Sequence, residues 1–569
     1  MSRLIPRLKS AALAFVSATA LMVSAAVPSA GVAATSLPHG GTVVMALPTL
    51  TSINWYQPLR PVAYNSLYDA WASSMMYKGL YRVNSQGKID YANSIASSIT
   101  WNKNATVYTI KMNPKWHWSN GQPVTALDVK FEWNLLVAAS SPNAPAPWPW
   151  VGAGPDSLVS LTKSVKTYGD YVVVVTLRQP VNQMWFLINS LGSLEPLPAN
   201  SWNKYPTNVN QELAYLAQNG NNPSFFNVVD GAFKLSSVVA NGSWTFVPNP
   251  RYDGHKALLS KFVLAYETST TSETNDLKTG AVQIGYLPPN MYLSRQSFTL
   301  DNLVITYGQM IARGPLNYLN PQVGSILKQM PVREALQYGV DQETIIKALD
   351  YGNGTIGITD APYTSPFIDP ALKKSPPYSF NTNKGVQILE KAGWHKVNGV
   401  MTNRAGQQLK FTVQYPTGNP TTQAMAELLQ QGWAKEGIVV SLEPTTFPTM
   451  LHYHQQPSKW QIQVGLGLAG LGYPVGTGIY KTGGGGNFYG YSNPVMDRLI
   501  DRTVAPAANA KAAQAALSFY QVYVARQLPN LWMPAGAGLN EIEHNVLGYS
   551  QFVNNFTSSI YPQYLAVRP

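Results

Sequence analysis

Four patterns in this 569-residue chain could carry chemistry. His452 and His454 flank a single residue, Glu541 and Glu543 do the same, and Gly483–Gly486 form a run of four glycines after Thr482. His117 sits between Trp116 and Trp118. A histidine pair starts a metal site only if a third ligand joins it, and no cluster of carboxylates lies near 452–454. A glycine run cradles phosphate when Lys-Ser/Thr follows it, and here Asn487 and Phe488 follow. Paired acids suit glycoside hydrolysis if they face a cleft roughly 5–9.5 Å apart. Glu541 and Glu543 are read instead as surface or hinge residues, and His117 as packed. The chain has no G-x-S-x-G, no H-E-x-x-H and no cysteine. Disulfides, thiolate nucleophiles, iron–sulfur ligation and a cysteine-borne lipid anchor are excluded. No catalytic residue, metal or cofactor is expected.

What remains is aromatic. The 15 Trp and 32 Tyr, with many amides nearby, suit a cleft that grips a polar organic ligand such as a peptide or a sugar. Most of these rings must pack a core. Charged residues make up only 12%, against ~25% in ordinary domains. The net charge of +12 comes from scarce carboxylates, 28 against 40 Lys and Arg, and no basic run marks a nucleic-acid partner. Few carboxylates is the composition of an exported protein bathed in acid, where native ion pairs fail. It is equally the mark of a lineage bias.

The elements that must position these residues follow from local pattern. Arg3, Arg7 and Lys9 precede the apolar run Ala11–Val27, and Val32-Ala33-Ala34 is an acceptable cleavage site. Residues 1–34 read as a signal peptide, with an uncleaved anchor as the alternative. Thr42–Leu47, Val107–Met112 and Tyr171–Leu177 read as strands. Thr125 caps a helix running to Ala139, with Asp128 three residues on and Val129, Trp133 and Leu136 on one face. Helices are expected at Val332–Tyr338, Glu343–Leu349, Asn383–Ala392, Thr421–Lys435 and Asn509–Gln527. The mixture makes an α/β or α+β protein.

Ser119–Val129, read as Ser-Asn-Gly-Gln-Pro-Val-Thr-Ala-Leu-Asp-Val, resembles the signature of the family 5 extracellular solute-binding proteins. These are the dipeptide, oligopeptide and nickel receptors of ABC importers. Asn249–Gly254, Leu277–Ala281, Val332–Asp341, Ala392–Trp394, Gly437-Ile438 and Tyr491–Asp497 resemble further family segments, in order, over nearly all of residues 40–569. Each has a local reading as well: Gly121–Pro123 is a helix-launching turn, and Arg333 could pair with Asp341.

The resemblance implies an α/β, two-lobed periplasmic-binding-protein fold with a hinge and an extra domain on one lobe. Residues 35–72, 200–302 and 525–569 would form lobe I, 73–199 the extra domain, and 303–524 lobe II. It implies a monomeric, exported receptor, periplasmic or at the cell surface, that hands its ligand to permease and ATPase subunits and is not an enzyme. At the pocket the chain departs from the family. Peptide-binding members carry Trp-x-x-Asp-x-x-Asp-Pro, and here Gly467, Gly470 and Tyr473 stand at the Trp and the two Asp positions. A buried ammonium without a counter-charge is costly. A peptide is the first expectation, a neutral oligosaccharide the alternative, and a secreted glycan hydrolase or a sensory binding protein the readings from other classes. The expected ligand-side residues are Asn54, Trp55, Tyr56, Gly470, Tyr473, Asn487, Phe488 and Trp532.

Overall fold

Alternation alone places Val107–Met112 as a strand, with Tyr108, Ile110 and Met112 buried. The helix Ala126–Ala139 starts where Thr125 and Asp128 cap each other, the Thr125 N–H donating to the Asp128 carboxylate at 2.8 Å. Asp341 caps Gln342–Leu349 through the Thr344 N–H at 3.0 Å, and Pro331 opens Met330–Tyr338. Gly437, at φ +82°, stops the helix Pro420–Glu436 in the left-handed conformation that glycine tolerates. The expected elements at 382–391 and 510–527 also form.

The computed structural model describes residues 37–568 apart from 155, 309, 470 and 471. The leader expected at 1–34 and the ligand-side Gly470 lie outside the described residues. Two expectations are corrected. Arg333 and Asp341 form no ion pair, because Arg333 donates to the carbonyls of Leu327, Lys328 and Gln527 while Asp341 serves as a cap. His117 is not packed: the alternation that buries Trp116 and Trp118 turns it outward, where its Nδ1 lies 3.2 Å from Asp253.

The larger sheets fall into three groups. A seven-stranded sheet runs in the order 301–306, 538–543, 284–286, 42–46, 261–265, 243–248, 233–239. Its centre is parallel and its flanks antiparallel. The second group holds a parallel sheet, 439–445, 410–416, 462–463, and beside it an antiparallel one, 466–469, 310–315, 530–532. A separate four-stranded antiparallel sheet lies within residues 96–177.

The chain passes between the seven-stranded sheet and the 310–315 sheet along two adjacent paths. Strand Asp301–Thr306 leads through Tyr307 and Gly308 to Met310–Pro315, and Asn530–Trp532 leads through Met533–Ala537 to Gly538–Glu543. Asn540 pins the paths together, its amide donating to Val304 O at 3.1 Å and Thr306 Oγ1 at 2.9 Å. Two adjacent, antiparallel extended crossings are the mechanical form of a hinge. Among the described residues no helix is long and apolar enough to cross a membrane.

Candidate functional site

A cavity of about 450 Å³ opens at the crossings. Its floor is the crossings themselves, Thr306–Gly308 and Met533–Gly538. The seven-stranded side adds the end of the first strand at Met45 and the start of helix Leu67–Met76 with Tyr68 and Trp71. The opposite side adds Met310, Ala312 and the Gly465–Gly467 segment, and the C-terminal stretch closes it with Tyr549, Asn555 and Ser558. Trp71 is fixed there, its indole N–H donating to Ser558 O at 2.7 Å.

Strand Leu466–Ala469 is an edge. Among the described residues it pairs only with Met310–Arg313, so its other side offers backbone N–H and C=O groups. Gly467 keeps this stretch thin: a Cβ there would lie 1.9 Å from the tip of Met310. Met310, 44% exposed, fills the space a larger residue at 467 would take.

No carboxylate lines the cavity among the described residues. Burial pushes the Tyr68 phenol up to about 12 and raises those of Tyr286 and Tyr549, so these groups act as neutral donors and acceptors. Of four lining methionines, Met310 and Met425 present soft, adaptable surface, and Met45 and Met533 back it from the core. Arg313 is the one cation among the described lining residues, and it is buried. Its guanidinium lies 5.8 and 5.9 Å from the ring centroids of Phe488 and Tyr489, and its Nε and Nη1 have no hydrogen-bond partner.

Comparison with known proteins agrees with this architecture. The family described as bacterial extracellular solute-binding proteins, family 5 middle, matches residues 90–487. The chain belongs to family 5 of the extracellular solute-binding proteins, the binding components of ABC importers. A putative ABC transporter peptide-binding protein of Brucella ovis is 26% identical over 312 residues, 54% of this chain and 52% of that one. The chain thus spans about half the length of this relative. The oligopeptide-binding protein AppA of Bacillus subtilis is 22% identical over 451 residues, covering 77% of this chain and 78% of AppA. The structure of AppA with a nonapeptide superposes with a TM-score of 0.80 at 19% identity, covering 94% of this chain and all of that one. The fold is therefore the two-lobed periplasmic-binding-protein fold.

Within this solute-binding protein the seven described residues of the expected ligand side lie elsewhere than along this cavity. Trp55 is 2% exposed, stacks on Tyr64 at 4.7 Å and donates to Leu59 O. Tyr56 is buried and accepts from the Trp244 indole at 3.1 Å, while the exposed Asn54 donates its backbone N–H to Asp69. Tyr473 is a docking residue: Asn189 brackets its backbone at 2.6 and 3.0 Å and Asn182 reaches its hydroxyl. Asn487 ties its own loop through Lys481 O and Tyr491, and Phe488 stacks on His454 at 3.5 Å. His454 bonds Gln463 and His452 bonds Gln456. Trp532 is 1% exposed, with its indole on Ala525 O and its backbone N–H on Gln337.

The cavity residues that sequence reasoning misses sit beside those it names. Met533 follows Trp532 just past the end of strand Asn530–Trp532, and the smaller neighbour is the one that lines the cavity. The available signal is the small-residue run Pro534-Ala-Gly-Ala-Gly538, a stretch too poor in side chains to pack a core.

Proposed function

We propose that this protein captures peptides outside the cytoplasm and delivers them to the permease and ATPase subunits of an ABC importer. The observation that carries the reading is an edge strand, Leu466–Ala469, bordering a hinge cavity with no lining carboxylate among the described residues. An extended peptide adds to such an edge by main-chain hydrogen bonds, and flanking pockets sort its side chains. The cavity volume lies within the range of about 300–1,000 Å³ usual for small-ligand sites. Its methionine and tyrosine surface favours apolar side chains. Without a carboxylate, a free α-ammonium gains no counter-charge there, so the ligand is held by its backbone and side chains rather than by its N-terminus. Contacts to both lobes favour the closed form over the open one. The peptide-binding descriptions of the Brucella relative and of AppA support the ligand class. Residues 1–34 would direct export, to the periplasm or the cell surface, with no cysteine to carry a lipid.

The test is mass spectrometry of ligand released from the purified protein, followed by a thermal-shift series. Apolar tri- and tetrapeptides are expected to raise the melting temperature, and N-acetylated versions to raise it equally. A shift by malto- or cello-oligosaccharides alone would replace the peptide reading with the sugar one. Loss of the shift on acetylation would show that the amine is recognised after all.

A further inference from the structure

Thirteen of the 28 carboxyl side chains are buried, although Asp and Glu seldom are unless paired. The ion pairs that could compensate them are few. Among the described residues, Lys481 bridges Asp156 and Asp501, His117 meets Asp253, and Arg295 approaches Glu541 at 3.6 Å. Only the last involves one of the buried acids.

Two places show how these acids are housed. Glu436 is fully buried at the last turn of helix Pro420–Glu436, where the helix dipole opposes a negative charge. Neither carboxyl oxygen has a hydrogen-bond partner. Gly385 and Gly339 back it so closely that a Cβ on Gly385 would lie 2.0 Å from its oxygen. The facing cation, Lys396, donates instead to Lys435 O at 3.1 Å. The second place is the ribbon of strands 301–306 and 538–543, which leads into both hinge crossings. Asp301 stands opposite Glu543 in register, and Glu541 lies two residues from Glu543 on the same face. Glu541 is fully buried and Asp301 nearly so, and none of their four carboxyl oxygens has a hydrogen-bond partner. The charged or titratable groups around them are Arg295 on the neighbouring helical turns, His544 and Glu543 itself. The ammonium of Lys278, on helix Thr270–Thr279, sits over the Phe298 ring.

We propose that this receptor is built to work in an acidic exterior, folding with these interior carboxyls in their neutral, protonated form. An ionised carboxylate at either place would be stripped of water with no hydrogen-bond donor in its stead, the nearby cations being Arg295, 3.6 Å from Glu541, and Lys396, which faces Glu436 but donates elsewhere. The linkage has a definite sign. Burial pushes Asp301 up to about 6, Glu541 to about 7 and Glu436 to about 9, all above the unfolded values near 4. The stability they contribute is complete below the unfolded values and drains away as pH rises through the folded ones. The opposite loss in acid, from ion pairs, is limited because among the described residues such pairs are few. The proposal does not depend on the ligand.

The experiment is the melting temperature of the full chain at constant ionic strength, from about pH 8 down to about pH 4. It is expected to rise by several degrees toward acid. Glu436→Gln and Glu541→Gln, neutral and nearly isosteric, are expected to raise the melting temperature at pH 8 and to leave it unchanged at pH 4. A flat or falling profile toward acid overturns the proposal. So do Gln variants that lose equally at both pH values, because that marks a role of shape rather than of charge.

Discussion

Met310 and Gly467 meet across two paired strands, and their sizes are complementary: a flexible thioether lies over a residue with no side chain. Met310 is half-exposed, so it can swing aside, and the space it leaves belongs to the cavity proposed to hold the ligand. Gly467→Val should therefore fold normally and still bind poorly, because the new side chain and the displaced Met310 compete with the guest. The expected loss is about tenfold in affinity, or roughly 1.4 kcal/mol, with the melting temperature of the unliganded protein unchanged. Calorimetric titration with the released ligand checks it, and undiminished binding would place the guest elsewhere. Trp532 and Met533 teach a related point. Sequence reasoning reaches the segment they share and favours the larger ring as the ligand contact. Both are buried, and of the two it is Met533 that lines the cavity.

Elements with local causes are legible in the sequence alone. The helix Ala126–Ala139 is set by Thr125 and Asp128, and its buried Val129, Trp133 and Leu136 follow its period. The Asp128 carboxylate also accepts from the Ala199 N–H at 3.0 Å and the Trp118 indole at 3.2 Å, so one cap joins three segments. Thr125→Ala should cost about 1 kcal/mol of stability, the usual value of a lost N-cap, read from denaturant unfolding. A neutral effect would mean that Asp128 alone holds the helix start. The short strands 466–469 and 530–532 are not legible in this way. They hold three or four residues each, show no alternation long enough to detect, and exist because Met310–Pro315 lies between them.

At the scale of the molecule, two crossings carry the chain between sheet systems, and the cavity lies on them. A ligand that touches both sides stabilises the closed arrangement by its differential contact. The radius of gyration in solution scattering should shrink when the released ligand is added to stripped protein. An unchanged value at saturating ligand would show a rigid site rather than a clamp. The same crossings continue the ribbon that buries Asp301 and Glu541, so hinge and acid-dependent interior share two strands.

Composition, caps, strand periods and the order of the motifs determined the compartment expected, the α/β class and the family, because each is written in residues near one another along the chain. Which aromatic lines the cavity and which packs the core was decided only by the tertiary structure. That choice depends on strand register and on partners hundreds of residues apart, such as Trp71 with Ser558 or Gln337 with Trp532. The sequence counts 28 carboxyl side chains; only the packed chain shows which of them have left water without a partner.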